Sequence, residues 1–366
     1  MSEPSATSGP VVAGTPEEPG GSAAPGKRPV VGVACDAEVR EHYLAPDDLA
    51  RLTAIADVRY ADFTGLRSVA AQPPPDADSE AELAKFAAGL DALVVCHGAP
   101  RVTERVLAAA PGLAMVGELE GDRFAGRVDV DAADRYGVLV VDTTHGSSYP
   151  VAEWALALMV LGMRDVGRWK RRTELTGKRV GLIGFGHIAW RLVELVRPYG
   201  VEVLVHDPYS PRELADALGV TFAPLDAVLA GTDVVVCLAP LTPRTRGLLG
   251  ARELGLLAPG TVFVNVSRGA IVDSVALLAR LRRGDVVACL DVHDPEPVPP
   301  DAEIRALPNV FLSPHVAGTT VESRTRFFGL MVEEIERLFR GTEPRALLTR
   351  RVVAIRDGLA QPGGAA

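Results

Sequence analysis

The stretch Lys178-Arg-Val-Gly-Leu-Ile-Gly184-Phe-Gly186-His187-Ile188-Ala189 decides the fold of this chain of 366 residues. A strand-like apolar run leads into two glycines and a small residue, and a helical pattern follows. In such a turn the first glycine allows a tight reversal and the second lets the backbone approach a pyrophosphate. The small residue lets the helix pack closely on the strand. The sequence therefore predicts a dinucleotide-binding turn.

An acidic residue follows the turn at the distance that this motif requires. Asp207 ends the apolar run 201–207, about twenty residues further on. A carboxylate there can accept hydrogen bonds from the adenosine ribose and would repel a 2′-phosphate. We therefore expect NAD (NADH) rather than NADP, although Arg212 lies close enough in sequence to leave NADP as the alternative. The predicted cofactor-binding residues of this region are Gly184, Gly186, His187, Ile188 and Asp207.

The second half of the chain alternates between strand and helix signals. Strands are expected at 179–184, 201–207, 233–239, 261–267, 286–292 and 310–313, with helices at 187–198, 211–219, 251–257 and 273–283. Such alternation is typical of a parallel sheet with helices on both faces.

The first half shows the same alternation. Strands are expected at 30–35, 91–96, 114–117 and 138–142, and a helix near 47–55. Another helix is expected to begin at Ser79, where Glu82 completes a capping-box pattern. The predicted fold class is α/β, with two Rossmann-like or flavodoxin-like domains, doubly wound parallel sheets and an interdomain cleft.

Composition and helical patterns suggest the domain boundaries. Residues 1–26 and 356–366, rich in small and polar residues, are expected to be disordered tails. A helix from Val151 to about Arg164 should cross between the domains, and 321–339 has the spacing of a helix that returns. We therefore predict a substrate (catalytic) domain at 27–148, completed by 320–355, and an NAD-binding domain at 149–319.

Composition also argues against several classes of function. The formal net charge of −9 is unlike that of a nucleic-acid-binding protein. The apolar stretch 151–163 is too short to span a bilayer and is interrupted by Glu153, and there is no secretory signal pattern. We expect a cytoplasmic protein with no nucleic acid, membrane or metal partner. The four cysteines lack metal-ligand spacing and suit a reducing cytosol as small buried residues: Cys35, Cys96, Cys237 and Cys289.

Three chemically capable residues follow the later strand-like runs: Arg268, Glu296 and His315. Transfer of a hydride to a carbonyl carbon is helped by a cation at the carbonyl oxygen, and a guanidinium can bind a carboxylate and a carbonyl oxygen together with a fork of N–H donors. It also needs a proton donor, for which an imidazole is suited. Glu296 would pair with His315 and fix its tautomer. Taken singly, each residue also has a structural or surface interpretation, and only their combination predicts catalysis.

Three strings of this region resemble the NAD-dependent D-isomer-specific 2-hydroxyacid dehydrogenase family. The resemblance covers roughly residues 90–340 and implies hydride exchange between NAD(H) and a small 2-keto or D-2-hydroxy acid, usually in a homodimer built on the NAD domains. It also implies that Val266, Arg268, Asp291, His315 and Gly318 line the nicotinamide. The strings are Val264-Asn265-Val266-Ser267-Arg268-Gly269-Ala-Ile-Val-Asp273, Leu290-Asp291-Val292-His293-Asp294-Pro295-Glu296-Pro297 and Leu312-Ser313-Pro314-His315-Val-Ala-Gly318.

The segment 117–129 departs from the family pattern. It is longer and charged, and Gly126-Arg127 stands where Asp-Asn is expected. Arg123 or Arg127 could bind a second anionic group of the substrate, or could lie on the surface. The resemblance also makes His97 and Gly98 candidate substrate contacts, since the family's substrate loop begins there. A further candidate is His145, whereas His206 and His293 are expected to be structural.

Two other functions remain compatible with the same residues. One is oxidation of formate or phosphite on this fold. The other is a non-catalytic NAD(H)-sensing interaction protein, similar to transcriptional corepressors that keep this scaffold and its Arg268, Glu296 and His315 set.

Overall fold

The computed structural model describes residues 27–65, 76–167 and 173–361. The predicted tail 1–26 lies outside these residues, as does 362–366 of the other predicted tail. Residues 356–361 are described, and Arg244 Nε donates to the carbonyl oxygen of Gly358 at 2.6 Å. The described chain therefore continues in contact with the protein past the predicted start of the second tail.

The first sheet has five parallel strands in the order β2-β1-β3-β4-β5. This is the flavodoxin-like order that the sequence predicted. The strands are β1 (Val30–Cys35), β2 (Asp57–Asp62), β3 (Ala92–Val95), β4 (Met115–Glu118) and β5 (Leu139–Asp142). The helices of this part are α1 (Ala37–His42), α2 (Pro46–Ile55), α3 (Ala77–Ala87), α4 (Glu104–Ala109) and α5 (Val130–Arg135).

The second sheet has seven parallel strands in the order β12-β11-β10-β9-β6-β7-β8. The strands are β6 (Arg179–Ile183), β7 (Glu202–His206), β8 (Thr221–Phe222), β9 (Val234–Cys237), β10 (Val262–Asn265), β11 (Val287–Leu290) and β12 (Val310–Leu312). The helices are α6 (Ser148–Met163), α7 (His187–Val196), α8 (Glu213–Leu218), α9 (Leu225–Gly231), α10 (Ala251–Gly255), α11 (Ser274–Leu281), α12 (Val321–Phe339) and α13 (Arg350–Arg356).

The long helix α12 follows the second sheet but packs on the first. Its apolar face, including Phe327, Phe328 and Met331, shares a buried cluster with Val31 and Val33 of β1. This packing is consistent with the predicted return of the chain after the NAD-binding part. The exact domain boundaries stay a prediction.

Sequence patterns missed or misplaced several elements. Strands β2 and β8 lack a continuous apolar run because both lie at sheet edges, where residues such as Asp57 stay exposed. The helices α1, α5, α9 and α13 were not predicted either. The predicted capping box is wrong, since α3 begins at Ala77 and its N-cap is Asp76, which accepts a hydrogen bond from the backbone N–H of Asp78. Ser79 lies inside the helix.

Within the described ranges, none of the helices has both the length and the apolar content needed to cross a membrane. The four cysteines are buried and free, as expected from their strand-like surroundings.

Candidate active site

The fingerprint turn connects β6 to α7 at the point where the strand order of the second sheet reverses. Gly184 has a φ of +94°, and a Cβ placed on it would lie 2.6 Å from the backbone nitrogen of Ala239. Only glycine fits here, because both the backbone conformation and the close approach exclude a side chain. Ala189 is fully buried, as tight packing of the helix on the strand requires.

Asp207 holds the turn through its carboxylate. One oxygen accepts from the backbone N–H of Phe185 at 2.7 Å, and the other accepts from those of Tyr209 at 2.8 Å and Ser210 at 3.0 Å. Each carboxylate oxygen has further acceptor capacity for ribose hydroxyls. The carboxylate therefore fixes the turn while it remains suited to binding a nucleotide.

The residues of this turn fit a dinucleotide. Helix α7 begins at His187, and its N-cap Gly186 has no side chain that could occupy the first N–H groups. A Cβ placed on Gly186 has as its nearest neighbour Nη1 of Arg123, at 3.8 Å. The backbone is thus open to an approaching pyrophosphate, and the helix N-terminus favours its negative charge. Ile188 is partly buried against the core of the second sheet.

Arg268, Glu296 and His315 follow β10, β11 and β12, which are adjacent and parallel. Carboxyl ends of parallel strands meet at one edge of the sheet, so the three residues share the edge at which the fingerprint turn lies. His315 Nδ1 lies 2.5 Å from Glu296 Oε1. The predicted imidazole–carboxylate pair is therefore formed.

His315 has a φ of +56°, a conformation that costs a residue with a side chain about 1–2 kcal/mol. Asp291 supports this turn. Its backbone carbonyl accepts from the N–H of His315 at 2.9 Å, and its side-chain oxygens accept from those of Val316 and Ala317 at 3.0 Å. Ser313 Oγ also donates to it at 2.5 Å. Asp291 is fully buried, so this geometry favours holding His315 in place over direct contact with the nicotinamide.

Arg268 reaches toward the first sheet and pairs with Asp122, a residue that the sequence analysis did not single out. Its other terminal nitrogen donates to the carbonyl oxygen of Ser267 at 2.7 Å. Enclosure raises the pKa of Asp122, while the charges of Arg268 and His315 oppose this rise. Asp122 thus lies within electrostatic reach of both catalytic candidates, and the two sheets meet at this point.

The remaining predicted nicotinamide contacts border the same region. Val266 is buried directly after β10. A Cβ on Gly318 would lie 3.5 Å from Cβ of Ser147 and 3.6 Å from Cγ2 of Val151, which places Gly318 beside the start of α6. His293 Nε2 lies 2.9 Å from the carbonyl oxygen of Ser313, in agreement with the structural role expected of it.

Arg127 corrects an expectation, because it is neither on the surface nor open to a substrate. Its Nη1 lies 2.8 Å from Oε1 of Glu118, and its backbone N–H donates to Oε2 at 2.8 Å. The two side chains are 3% and 1% exposed. This buried ion pair explains why an arginine can stand where the family pattern has Asp-Asn. Burial raises the pKa of Glu118.

Asp142 is also buried, and it contacts the loop of residues 119–129. It accepts from the backbone N–H groups of Ala125 and Thr144, each at 2.8 Å. Burial, followed by the nearby charge of Glu118, raises the pKa of Asp142 to about 7. Near neutral pH this group is therefore divided between its protonated and ionised forms.

His97 and Gly98 follow β3, the third strand of the first sheet. His97 Nε2 lies 2.9 Å from Glu120 Oε2, which also accepts from Tyr43 Oη at 2.9 Å. Cys96, His97 and Glu120 offer donor atoms within 4.8 Å of one another, a grouping that sequence spacing did not reveal. The Glu120 oxygen already has two hydrogen-bond partners. We therefore interpret the group as a hydrogen-bonded cluster rather than as a metal site.

His145 lies by the fingerprint helix, with its ring 5.0 Å from that of His187. The His187 ring also packs at 4.9 Å from that of Trp190, although the residue as a whole stays accessible. This packing lowers the pKa of His187 to about 4, and the charges of His145, Arg123 and Arg191 contribute. At neutral pH His187 is uncharged.

Comparison with known proteins agrees with this fold. The model of the D-isomer specific 2-hydroxyacid dehydrogenase NAD binding domain matches residues 162–317. Glyoxylate reductase of Aeropyrum pernix is 34% identical over 313 residues, which cover 80% of this chain and 90% of that protein. The chain therefore belongs to the D-isomer specific 2-hydroxyacid dehydrogenase family. This confirms the predicted family, fold class and NAD(H) cofactor.

Other relatives differ in length or are more distant. D-3-phosphoglycerate dehydrogenase of Archaeoglobus fulgidus is 31% identical over 281 residues, covering 73% of this chain and 53% of that protein. The chain spans about half the length of the D-3-phosphoglycerate dehydrogenases it matches. The NAD-complexed structure of a D-isomer specific 2-hydroxyacid dehydrogenase from Lactobacillus delbrueckii ssp. bulgaricus aligns with a TM-score of 0.67. It covers 87% of this chain and 100% of that one, and at 20% identity it shares the fold.

Proposed function

We propose that this protein interconverts a small 2-keto acid and its D-2-hydroxy acid with NAD(H). The observation that carries the proposal is the pairing of His315 Nδ1 with Glu296 Oε1 at 2.5 Å, on the sheet edge that also bears Arg268 and the fingerprint turn. The names of the relatives, glyoxylate reductase and D-3-phosphoglycerate dehydrogenase, support substrates of this class.

Each residue of the set has a distinct task. With Glu296 on Nδ1, the imidazole of His315 has Nε2 left to give a proton to the carbonyl oxygen during reduction, or to take it back during oxidation. Arg268 binds the substrate carboxylate and stabilises the charge that develops on the carbonyl oxygen. When bound, the nicotinamide supplies the hydride to C2 of the keto acid or accepts it from C2 of the hydroxy acid.

Asp122 bears on the size and charge of the substrate. It pairs with Arg268, where a substrate carboxylate would bind, so the substrate must displace it or share the guanidinium. A small keto acid such as glyoxylate or hydroxypyruvate can reach Arg268 with the least movement of the 119–129 loop, to which Asp122 belongs. We propose substrates of that size.

The test is an NADH-consumption assay of the wild type across glyoxylate, hydroxypyruvate, phenylpyruvate, phosphonopyruvate and branched keto acids, repeated with His315→Gln. We expect reduction of small keto acids and a loss of about 10²–10⁴ in kcat in the variant. Undiminished turnover by His315→Gln would refute the assigned proton donor. Turnover of formate or phosphite alone would instead favour the alternative chemistry. NADH binding without hydride transfer, together with a partner captured only in its presence, would favour the sensing protein.

We also propose a cytosolic homodimer that assembles through the NAD-binding part, as the family resemblance implies. The four free buried cysteines suit a reducing compartment. Sedimentation equilibrium of the full chain tests the assembly, and a monomer across the micromolar range would contradict it.

A further inference from the structure

Arg123 lies in a loop whose backbone is held by several hydrogen bonds. The loop comprises residues 119–129, between β4 and α5. Asp122 and Arg123 have φ values of +55° and +71°, a conformation that few residues with side chains adopt. Two hydrogen bonds hold the loop. The backbone N–H of Phe124 donates to the carbonyl oxygen of Gly121 at 3.0 Å, and the backbone N–H of Ala125 donates to the carboxylate of the buried Asp142. These contacts hold the backbone on the carboxyl-terminal side of Arg123 in place.

Consecutive residues of this loop reach two different parts of the site. Asp122 pairs with Arg268 at the substrate side. Arg123 instead lies beside Gly186, where its Nη1 is 3.8 Å from the position of an added Cβ. Among the described residues none forms a hydrogen bond or ion pair with Arg123, and its side chain is exposed. A guanidinium without a hydrogen-bond partner, within electrostatic reach of Asp207 and Asp142, thus borders the glycine at which a dinucleotide approaches most closely.

The fingerprint turn has little other positive charge for a pyrophosphate. His187, the first residue of α7, is uncharged at neutral pH because its pKa is lowered to about 4. Arg191, one turn further along the helix, pairs with Glu194 at 2.9 Å and lies over the ring of Tyr149. Backbone N–H groups and the helix dipole remain, to which Arg123 adds a full charge and a fork of donors.

We propose that Arg123 is a cofactor-binding residue that clamps the pyrophosphate of NAD(H) from the first sheet. The contact would join the 119–129 loop to the fingerprint turn through the cofactor. Dinucleotide binding would then draw the loop, and with it Asp122, toward the second sheet. This role extends the NAD site to a loop that departs from the family pattern.

Two other anions are less well suited to Arg123. A 2′-phosphate would lie next to the carboxylate of Asp207, which opposes it. A substrate carboxylate would lie by Arg268, and Asp122 rather than Arg123 points there. Gly186 marks the pyrophosphate position, so the geometry favours that group.

The test compares Arg123→Ala and Arg123→Lys with the wild type by calorimetric titration of NADH, NADPH, ADP-ribose and adenosine. Arg135→Ala is the matched control, because Arg135 is an exposed arginine of α5, the helix after this loop, and pairs with Glu104 on the surface. We expect Arg123→Ala to weaken NADH and ADP-ribose about tenfold or more and to leave adenosine unchanged. Arg123→Lys should be intermediate, since it keeps the charge and loses the fork.

Three results would overturn the proposal: unchanged NADH affinity in Arg123→Ala, a loss confined to NADPH, or an equal loss for adenosine. The unfolding midpoint without nucleotide should stay at the wild-type value, because Arg123 is exposed and unpaired. None of these titrations needs substrate turnover, so the outcome is independent of whether the protein reduces a keto acid.

Discussion

His315 Nδ1 and Glu296 Oε1 lie 2.5 Å apart, although the two residues come from loops after different strands. His315 is held in a left-handed conformation by the hydrogen bonds of the buried Asp291. Glu296 is exposed, and its side chain is of a flexible type. The orientation of the imidazole thus depends on one buried carboxylate that shapes the backbone and one exposed carboxylate that holds the ring.

Replacing Glu296 should reduce turnover more than it reduces stability. In Glu296→Ala the ring of His315 loses its partner, and we expect kcat to fall about tenfold to a hundredfold, within the range for impaired acid–base catalysis. Glu296→Gln should lose less, because an amide can still hydrogen-bond the ring. Steady-state kinetics measures both, with Asp294→Ala as the control from the same exposed loop. Equal kcat values for Glu296→Ala and the control would argue against the pairing.

Arg268→Lys should impair binding of the substrate and of the transition state together. The ammonium group keeps the charge and loses the fork that binds carboxylate and carbonyl oxygens at once. Losing one charged hydrogen bond of about 1.5–3 kcal/mol predicts a fall of about a hundredfold in kcat/KM. NADH affinity, measured by titration, should change little. A variant with wild-type kcat/KM would remove Arg268 from the proposed mechanism.

Asp122→Asn should lower KM for the keto acid. Asp122 occupies Arg268 in the structure, and an amide competes less strongly for a guanidinium than a carboxylate does. We expect KM to fall about threefold to tenfold, since charged hydrogen bonds exceed neutral ones by about 1 kcal/mol. A rise in KM would mean that Asp122 helps to orient Arg268 for the substrate.

The buried pair of Glu118 and Arg127 should matter to stability as a pair. Arg127→Met leaves Glu118 buried without its partner, and we expect a loss of about 3–5 kcal/mol in the free energy of unfolding. The double variant with Glu118→Met should be less destabilised than the single variant, because both charges are then removed. Urea denaturation measures the cycle. Additive losses would show that the two residues act independently.

Asp142 should make stability depend on pH. Its pKa of about 7 lies above the value of about 4 expected in the unfolded chain, so the folded state binds more protons between these values. The free energy of unfolding therefore falls as pH rises from about 4 to 7, by up to about 2–4 kcal/mol from this group. His187, with its lowered pKa, acts in the opposite direction.

The measurement that isolates Asp142 is the difference between the wild type and Asp142→Asn at pH 5 and at pH 7.5. The asparagine cannot ionise, so the variant should be relatively more stable at pH 7.5 than at pH 5. It loses one acceptor toward Ala125 or Thr144, which lowers its stability equally at both values. A difference that does not change with pH would contradict the raised pKa.

Local sequence was sufficient for six of the seven strands of the second sheet and for its cofactor turn. Backbone geometry within one strand–turn–helix–strand unit requires Gly184, Gly186, the small Ala189 and the acidic Asp207. Their spacing can therefore be recognised directly in the sequence. The later strands are continuous apolar runs because both faces of a parallel sheet are buried. Their carboxyl ends share one edge of the sheet. For this reason the sequence alone could predict that Arg268, Glu296 and His315 lie together.

Only the tertiary structure decided the contents of the 119–129 loop. Charged residues at successive positions carry no local signal of which one is buried, since burial depends on partners distant in sequence. Arg127 forms a buried ion pair with Glu118, and Asp122 pairs with Arg268 of the other sheet. Arg123 lies beside Gly186. The edge strands β2 and β8 were missed because their residues are largely exposed and form no continuous apolar run. The sequence by itself thus determined the cofactor fold, whereas the partner of each charged residue in the 119–129 loop depended on tertiary packing, because those partners come from other parts of the chain.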